Sequence, residues 1–338
     1  MKIGNIGLTH GLMLAPMAGY TDRAMRLVCR EMGAEYTVTE MVSAKAVVYR
    51  DKKTYSLARI FSDEGPVAIQ LFGSEADIMA EAAAILSEPC PKELFPSEKE
   101  LCEVSNRSLS APVAIDINMG CPVKKIFSNG EGSALMREPE KIEKIVSAVC
   151  RKTSLPVTVK IRAGVDGDHI NAVECAKRAE AGGASMVCIH GRTTKQMYGG
   201  SADRSIIEKV KKSLQIPLVA NGDITSSEAA LSMISDTGAD GIAIGRGAVG
   251  NPFIFSEIIA ALENKSYSPP TIEEKIAIAL RQLELAVIDK GEAYAIPEAR
   301  KQIALYLRSF HNAAKIRADI NLSQTFEDVK RALLSALE

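Results

Sequence analysis

The chain has 338 residues, 46% of them hydrophobic, enough to bury a large core as one large domain or as one domain with an appendage. Its formal net charge of −1 gives no overall positive field, so any surface for nucleic acid must be a local basic patch. Seven cysteines without a Cys-x-x-Cys pair argue against both a disulfide framework and a zinc module.

The cysteine usage and the first residues indicate a cytoplasmic protein. An odd number of cysteines fits a reducing compartment. Residues 1–14 contain one lysine and lack the long apolar run and the small-residue cleavage site of a signal peptide. No stretch approaches the ~18 apolar residues of a membrane-spanning helix. We therefore predict no membrane partner and no bound metal.

Eight short apolar stretches are predicted as strands. Proline precedes four of them, where its missing N–H lies outside the ladder, and Gly-Ala precedes three others after a helix-like stretch. In chain order the predicted strands are Leu12–Ala15, Tyr36–Thr39, Val67–Leu71, Val113–Ile117, Val157–Ile161, Met186–Ile189, Leu218–Ala220 and Gly241–Ile244.

Helical patterns lie between most of these strands. Examples are Asp22–Met32, Glu75–Leu86, Glu140–Lys152, Ile170–Ala181 and Ser226–Ile234. Nearly continuous apolar strands that alternate with helices imply a parallel sheet with helices on its outer face. Eight such units over about 250 residues match an α/β fold of the TIM (β/α)8 barrel type. A doubly wound open sheet is the alternative.

Two regions fall outside this β/α rhythm. Residues 89–111 are rich in proline and charge and are predicted as a surface insertion. After residue 251 only helical periodicity remains, in Thr271–Lys290, Pro297–Ile316 and Thr325–Leu337. We therefore predict a barrel domain over residues 1–258, followed by a small all-α helical bundle over residues 259–338.

The helical bundle carries a basic strip. Lys301, Arg308 and Lys315 are seven residues apart and would share one face of a continuous helix. Such a strip on an otherwise neutral bundle suits binding to nucleic acid phosphates. A solvated helix face is the alternative reading.

The ends of the last two predicted strands suit a phosphate. In barrels of this type the chemistry lies at the C-terminal strand ends, and phosphate commonly binds after strands seven and eight. Gly222 and Gly245 allow backbone N–H groups to approach closely, and Arg246 offers a guanidinium fork.

The ends of the middle strands suit a flat anionic ring. Lys160 ends the fifth strand and would be costly to bury without a negative partner. An anionic cofactor ring would supply that charge, and Gln70 and His190 can hydrogen-bond the edge of such a ring. The alternative for His190 is a core histidine that bonds to its neighbours.

A single cysteine follows the fourth predicted strand. Cys121 lies in the turn Asn118–Pro122, between a glycine and a proline that both stop the strand. A thiol at a strand end can open into a pocket and act as a proton donor or nucleophile. A small buried hydrophobic residue is the alternative.

Together these motifs resemble the tRNA-dihydrouridine synthase family, and within it the bacterial B-type branch. The similarity covers residues 8–258, and 297–317 more loosely. The segments that carry it are Leu14–Asp22, Asn118–Lys125, Lys160–Arg162, His190–Thr193, Asn221–Asp223 and Gly245–Ala248.

The resemblance implies an FMN-carrying (β/α)8 barrel followed by a helical tRNA-binding domain. The implied reaction is reduction of the C5=C6 bond of uridine in tRNA, with NADPH or NADH as reductant. A hydride would pass from flavin N5 to C6, and Cys121 would give a proton to C5. The target base would have to leave the tRNA stack. We also expect a monomer, a state that the sequence itself does not fix.

The resemblance further implies roles for individual residues. Pro16, Met17 and Ala18 would line the flavin through their backbone. Gln70, Lys160 and His190 would meet its ring, and Asn221, Gly222, Asp223, Gly245 and Arg246 would hold the ribityl chain and phosphate. Asn118, Arg162 and Arg192 would read the uracil edge. Lys124 and Lys125, with Arg300, Lys301, Arg308 and Lys315 on the tail, would contact tRNA.

Two positions differ from the family pattern. Gln302 stands where histidine is expected, and Glu131 where alanine is common. Two other functions remain open on the sequence. One is another FMN barrel, such as a dihydroorotate dehydrogenase or an ene-reductase, which needs no basic tail. The other is an RNA-binding module whose catalytic site is idle.

Overall fold

Eight parallel strands close into a barrel in the computed structural model, which describes residues 1–89, 108–308, 310 and 312–337. Pairing of the last barrel strand with the first, through Ile242 and Leu12, closes the ring, which confirms the predicted barrel and excludes an open sheet. The barrel strands are β3 Leu12–Leu14, β4 Tyr36–Ser43, β5 Val67–Phe72, β6 Ala114–Met119, β7 Val157–Arg162, β8 Met186–His190, β9 Leu218–Asn221 and β10 Gly241–Ile244.

Helices cover the outside of the barrel, as the alternating pattern predicted. The Asp22 side chain caps the first of them by accepting from Met25 N at 3.0 Å, and Gly238, at φ +64°, ends another in a left-handed conformation. The helices are Arg23–Glu31, Ala44–Val48, Lys52–Leu57, Ala76–Leu86, Lys124–Ser128, Pro139–Cys150, Ala172–Ala181, Arg204–Ser213, Ser227–Thr237 and Ile254–Leu262.

Strand alternation separates two apolar layers. On β6, Ile115 and Ile117 pack outward against the helices, whereas Ala114 packs into the barrel interior. A short N-terminal hairpin, β1 Lys2–Ile3 with β2 Ile6–Gly7, was not predicted from the sequence. It places Ile3 in the same apolar interior as the inward barrel residues, at the end opposite the site described below.

The C-terminal region forms a helical bundle with its own apolar core. Its helices are Ile272–Lys290, Glu292–Ile303, Ala313–Leu322 and Phe326–Leu334. The first begins with a capping box formed by Thr271 and Glu274. Buried Leu283, Leu307 and Leu333 belong to a core cluster separate from that of the barrel.

The predicted continuous helix over Pro297–Ile316 is wrong. The helix ends at Ile303, a short 3₁₀ turn covers Ala304–Leu307, and the next helix starts only after Asn312, which lies at φ +56°. The three cations of the predicted strip are therefore exposed but lie on separate pieces of chain, and they do not form one helix face. Arg300 is drawn inward, where it donates to Ser323 O at 2.5 Å.

Polar contacts join the bundle to the barrel beside the first strand. Arg23 pairs with Asp289 at 2.7 Å, and Lys290 pairs with Asp22 at 2.8 Å. The Gln302 amide, at the position where histidine was expected, donates to Gly19 O at 3.3 Å. The bundle is thus anchored to the loop that follows β3.

Two regional features complete the fold: the segment between the fourth helix and β6, and the apolar character of the helices. The predicted insertion at residues 89–111 lies mostly outside the described residues, which exclude 90–107. Within the described ranges, no helix combines the length and the apolar character that crossing a membrane requires.

Candidate active site at the mouth of the barrel

Five polar side chains share the inward side of the barrel near its C-terminal mouth. Ladder pairing aligns Asn118 with Lys160 and His190 with Asn221. Gln70 pairs with Asp116, two residues before Asn118 on the same strand. Their sequence neighbours face the helices, because side chains alternate along each strand. The sequence placed all five near one site, and the structure brings them together.

The Cys121 turn is pinned from both sides. Asn118 Oδ1 accepts from Cys121 N at 2.9 Å and from Gly120 N at 3.1 Å. Ser133 Oγ donates to Cys121 O at 2.8 Å, and Arg162 Nε donates to Gly120 O at 2.7 Å. Cys121 is half-buried, and burial raises the pKa of its thiol, which is therefore protonated at neutral pH.

Lys160 projects into the mouth without an acidic partner. Its Nζ donates to Asn221 Oδ1 at 3.1 Å, and Asn221 Nδ2 in turn donates to Ala243 O at 2.7 Å. Across the described residues, no carboxylate lies within ion-pair distance of this amine. Burial lowers the pKa of Lys160, as expected for an ammonium group that lacks a counter-charge. Asn221 thus orients Lys160, with both of its polar atoms engaged.

His190 is a buried, neutral imidazole. Burial, together with the positive charges of Lys160, Arg162, Arg192 and Arg246, lowers the pKa of His190 to about 2. The side chain is therefore uncharged over the physiological range and acts only as a hydrogen-bonding group. The four cations around it give the mouth a positive potential.

Gly222 is required by packing beside His190. A Cβ there would lie 2.6 Å from Ala202 Cβ and 3.0 Å from His190 Cδ2, and the backbone is at φ +127°. Only glycine fits this close approach. The sequence assigned Gly222 to a phosphate; the structure shows a packing reason for the glycine as well.

Arg192 and Asp223 bond to each other and to the loop after β8. Arg192 is 2% exposed, and its three nitrogen atoms donate to Gly199 O at 3.0 Å, Gly200 O at 2.5 Å and Asp223 Oδ1 at 2.7 Å. The other Asp223 oxygen accepts from Ala202 N at 2.8 Å. These groups close the loop after β8 onto the barrel, so Arg192 does not present a free edge to a base and the Asp223 carboxylate is turned toward Arg192.

Arg246 remains available to an anion. Its side chain is 58% exposed, and its guanidinium lies over the Tyr198 ring at 4.5 Å. The Asp223 carboxylate is 4.0 Å away, at the limit of an ion pair. Tyr198, which the sequence did not single out, is exposed at the same rim.

The loop after β3 borders the mouth and touches the bundle. Met17 O accepts from Tyr20 N and Thr21 N, each at 3.0 Å, which folds Pro16–Gly19 into a tight loop. Glu40, on the irregular stretch of β4, accepts from Gly19 N. From the bundle, Lys301 Nζ lies 4.2 Å from the centre of the Tyr20 ring. One predicted tRNA contact is thereby adjacent to the predicted flavin loop.

Four predicted substrate contacts differ in how far their polar atoms are already engaged within the protein. Arg162 donates to three backbone carbonyls through Nε and Nη1, and its Nη2 has no hydrogen-bond partner among the described residues. Lys124 and Lys125 are exposed on the short helix that follows Cys121. Asn118, by contrast, is engaged inside the protein: Nδ2 donates to Gln70 Oε1 and lies 3.8 Å from Met41 Sδ, and Oδ1 accepts from Cys121 N.

A buried carboxylate level with Gln70 was not assigned a role from the sequence. Asp116 is 3% exposed and bonds to Gln70 and Thr158. The signal was present, since a charged residue in the middle of an apolar strand is costly unless it is paired. Gln70 is itself only 1% exposed and bonds to both Asp116 and Asn118.

Comparison with known proteins decides the family. The model of the dihydrouridine synthase (Dus) family matches residues 13–91 and 100–338. The chain belongs to the dihydrouridine synthase family. The resemblance read from the sequence motifs is confirmed.

Curated relatives of this Dus chain match it over nearly its whole length. It is 38% identical over 324 residues to a probable tRNA-dihydrouridine synthase of Rickettsia conorii, covering 95% of this chain and 92% of that relative. It is 37% identical over 327 residues to the tRNA-dihydrouridine synthase B of Pseudomonas aeruginosa, covering 96% and 92%. A solved nitroalkane oxidase from Streptomyces ansochromogenes aligns at TM-score 0.38 and 15% identity over 71% of this chain and 66% of that one, too weakly to bear on function.

Proposed function

We propose that this Dus chain reduces the C5=C6 bond of uridine in tRNA to give dihydrouridine, with FMN as cofactor and NADPH or NADH as reductant. The relatives named as tRNA-dihydrouridine synthases, matched over 95% of this chain, support the reaction class. The barrel over residues 1–258 would carry the chemistry, and residues 259–338 would bind tRNA.

The residues at the mouth fit an anionic flavin. Lys160 has no carboxylate partner within the described ranges, and His190 offers a neutral hydrogen-bonding edge. A reduced ring with negative charge would supply the partner that Lys160 lacks. Arg246, which is 58% exposed, would hold the phosphate, and Met17 lies beside Gly245, 3.5 Å from the position of a Cβ there. When bound, FMN would supply a hydride from N5 to uracil C6.

Cys121 would supply the proton. Addition of hydride at C6 builds negative charge at C5, which requires an acid on the other face of the base. The observation that carries this assignment is a single thiol, pinned in its turn and kept protonated by burial, at the rim where the cations converge. Its raised pKa favours a donor over a thiolate nucleophile.

The base and its flanking phosphates would meet the free cations of the rim. Arg162 Nη2, which has no hydrogen-bond partner among the described residues, would bond a uracil oxygen, since Arg192 is committed elsewhere. Lys124 and Lys125 would contact phosphates next to the flipped nucleotide. Lys301, Arg308 and Lys315 would extend this contact across the bundle as separate points.

The proposal is tested with purified protein, FMN, NADPH and unmodified tRNA transcript. Mass spectrometry of the digested tRNA should show uridine that has gained two hydrogens, and the protein should retain FMN after gel filtration. Reduction of small enones or of orotate with tRNA left unchanged would identify another FMN barrel instead. Retention of tRNA without any reduction would identify an RNA-binding module.

A further inference from the structure

The carboxylate of Asp116 lies buried in the barrel interior, level with Gln70 on the neighbouring strand. It is 3% exposed, and its direct partners are neutral: Thr158 Oγ1 donates to Oδ1 at 2.5 Å and Gln70 Nε2 donates to Oδ2 at 2.7 Å. Thr158 and Gln70 are 0% and 1% exposed. A buried acid held only by neutral groups is costly, so its presence calls for a function.

From Asp116 a chain of hydrogen bonds runs to the Cys121 turn. Gln70 Oε1 accepts from Asn118 Nδ2 at 2.8 Å, and Asn118 Oδ1 accepts from Cys121 N at 2.9 Å. The backbone of the Cys121 turn lies three hydrogen bonds from the carboxylate, all made by side chains that are less than 10% exposed. We call Asp116, Gln70 and Asn118 the amide relay.

The direction of each bond in the amide relay is fixed from both ends. At one end, a backbone N–H can only donate, so Asn118 must present its oxygen to Cys121 N. At the other end, an oxygen of Asp116 accepts from Gln70, so Gln70 must turn its oxygen toward Asn118. The arrangement holds for either charge state of Asp116, because a proton on Oδ1 would face the Thr158 hydroxyl.

We propose that Asp116 is a positioning residue that holds the Cys121 turn in place through Gln70 and Asn118. This inference rests on the proposed function only for its effect on turnover; the effect on the turn itself is independent of it. A competing role for Asp116 is that of a counter-charge for Lys160, because the negative charge of Asp116 acts to raise the pKa of Lys160. The two roles predict different results for a neutral side chain that still accepts a hydrogen bond.

Three variants separate these roles. Asp116→Leu keeps the branched shape and the number of side-chain heavy atoms but offers Gln70 no acceptor. Asp116→Asn removes the charge and keeps an oxygen for Gln70, while its amide can donate to Thr158 Oγ1. Thr158→Val is the matched control, because it removes the other donor to the same carboxylate and leaves the amide relay intact.

The readout is the rate at which iodoacetamide alkylates Cys121 in each purified variant, followed by mass spectrometry of the Cys121 peptide. We expect Asp116→Leu to react about tenfold faster, the factor that one lost buried hydrogen bond of about 1.4 kcal/mol represents. Asp116→Asn and Thr158→Val should react within about twofold of wild type. Equal rates in wild type and Asp116→Leu, or a fast rate in Asp116→Asn, would overturn the proposal.

Single-turnover reduction of tRNA gives a second readout. Asp116→Leu should slow the step from reduced enzyme to dihydrouridine and leave flavin reduction by NADPH unchanged. In Asp116→Asn, the step to dihydrouridine should proceed at about the wild-type rate. If wild type itself fails to reduce tRNA, the proposed function is wrong, yet the alkylation rates still test the amide relay. If Asp116→Leu does not fold, Gln70→Leu breaks the same relay, and an unchanged alkylation rate there would also overturn it.

Discussion

Replacement of Arg192 by methionine should destabilise the protein, although the sequence placed this residue in substrate recognition. Methionine retains the apolar stem and removes three hydrogen bonds, to Gly199 O, Gly200 O and Asp223 Oδ1. The glycines are exposed and Asp223 is 36% exposed, so water can replace the lost donor. Counting each bond at its net value of about 1 kcal/mol, we expect a loss of about 3 kcal/mol in the free energy of unfolding.

Urea denaturation followed by circular dichroism measures this loss. Arg204→Met is the matched control, because Arg204 pairs with Asp236 at the surface, and it should change stability by less than about 1 kcal/mol. An Arg192→Met protein with wild-type stability that no longer reduces tRNA would refute the reasoning. In that case Arg192 would be free to read the base.

Three further predictions concern packing, pH and tRNA. Gly250→Ala places a Cβ 2.5 Å from the Leu305 carbonyl carbon of the bundle and should cost about 1–3 kcal/mol more in urea unfolding than Gly130→Ala, a site of similar positive φ with open space around it. The pKa of His190 is about 2 in the folded state, against 6.5 in the unfolded state, so only the unfolded state gains a proton on His190 between pH 7 and pH 5. Wild type should therefore lose about 2 kcal/mol of stability over this range through His190, and His190→Gln should lack that loss. Parallel profiles of stability against pH in the two proteins would contradict this. Lys301→Glu combined with Arg308→Glu should weaken tRNA binding and flatten its salt dependence in filter-binding titrations, whereas unchanged binding would mean that these side chains are merely solvated.

The barrel could be predicted because its signals are local. Seven of the eight strands are short apolar runs preceded by a proline or a Gly-Ala pair, and helical patterns lie between most of the strands. The same alternation aims Lys160, His190 and Asn221 into the barrel once the strands are aligned. The residues that line the mouth of the barrel could therefore be predicted from the residues at the strand ends.

The partners of individual side chains could not be predicted, because they depend on how distant loops fold. Arg192 bonds to Asp223 across 31 positions, and Asp116 bonds to Gln70 across 46. Helical spacing also misled in the bundle, where Lys301 and Arg308 looked as if they shared a face. The break between Ile303 and Ala313 lacks the proline or glycine that usually marks one.

The central claim is that the Cys121 thiol protonates the reduced pyrimidine, and its most direct test is Cys121→Ala in a single turnover of reduced, FMN-loaded protein with tRNA. We predict that the variant retains FMN and is reduced by NADPH at the wild-type rate. Its rate of dihydrouridine formation should fall by about 10²–10⁴-fold, the usual contribution of a positioned general acid. Dihydrouridine formation at the wild-type rate in Cys121→Ala would contradict the claim.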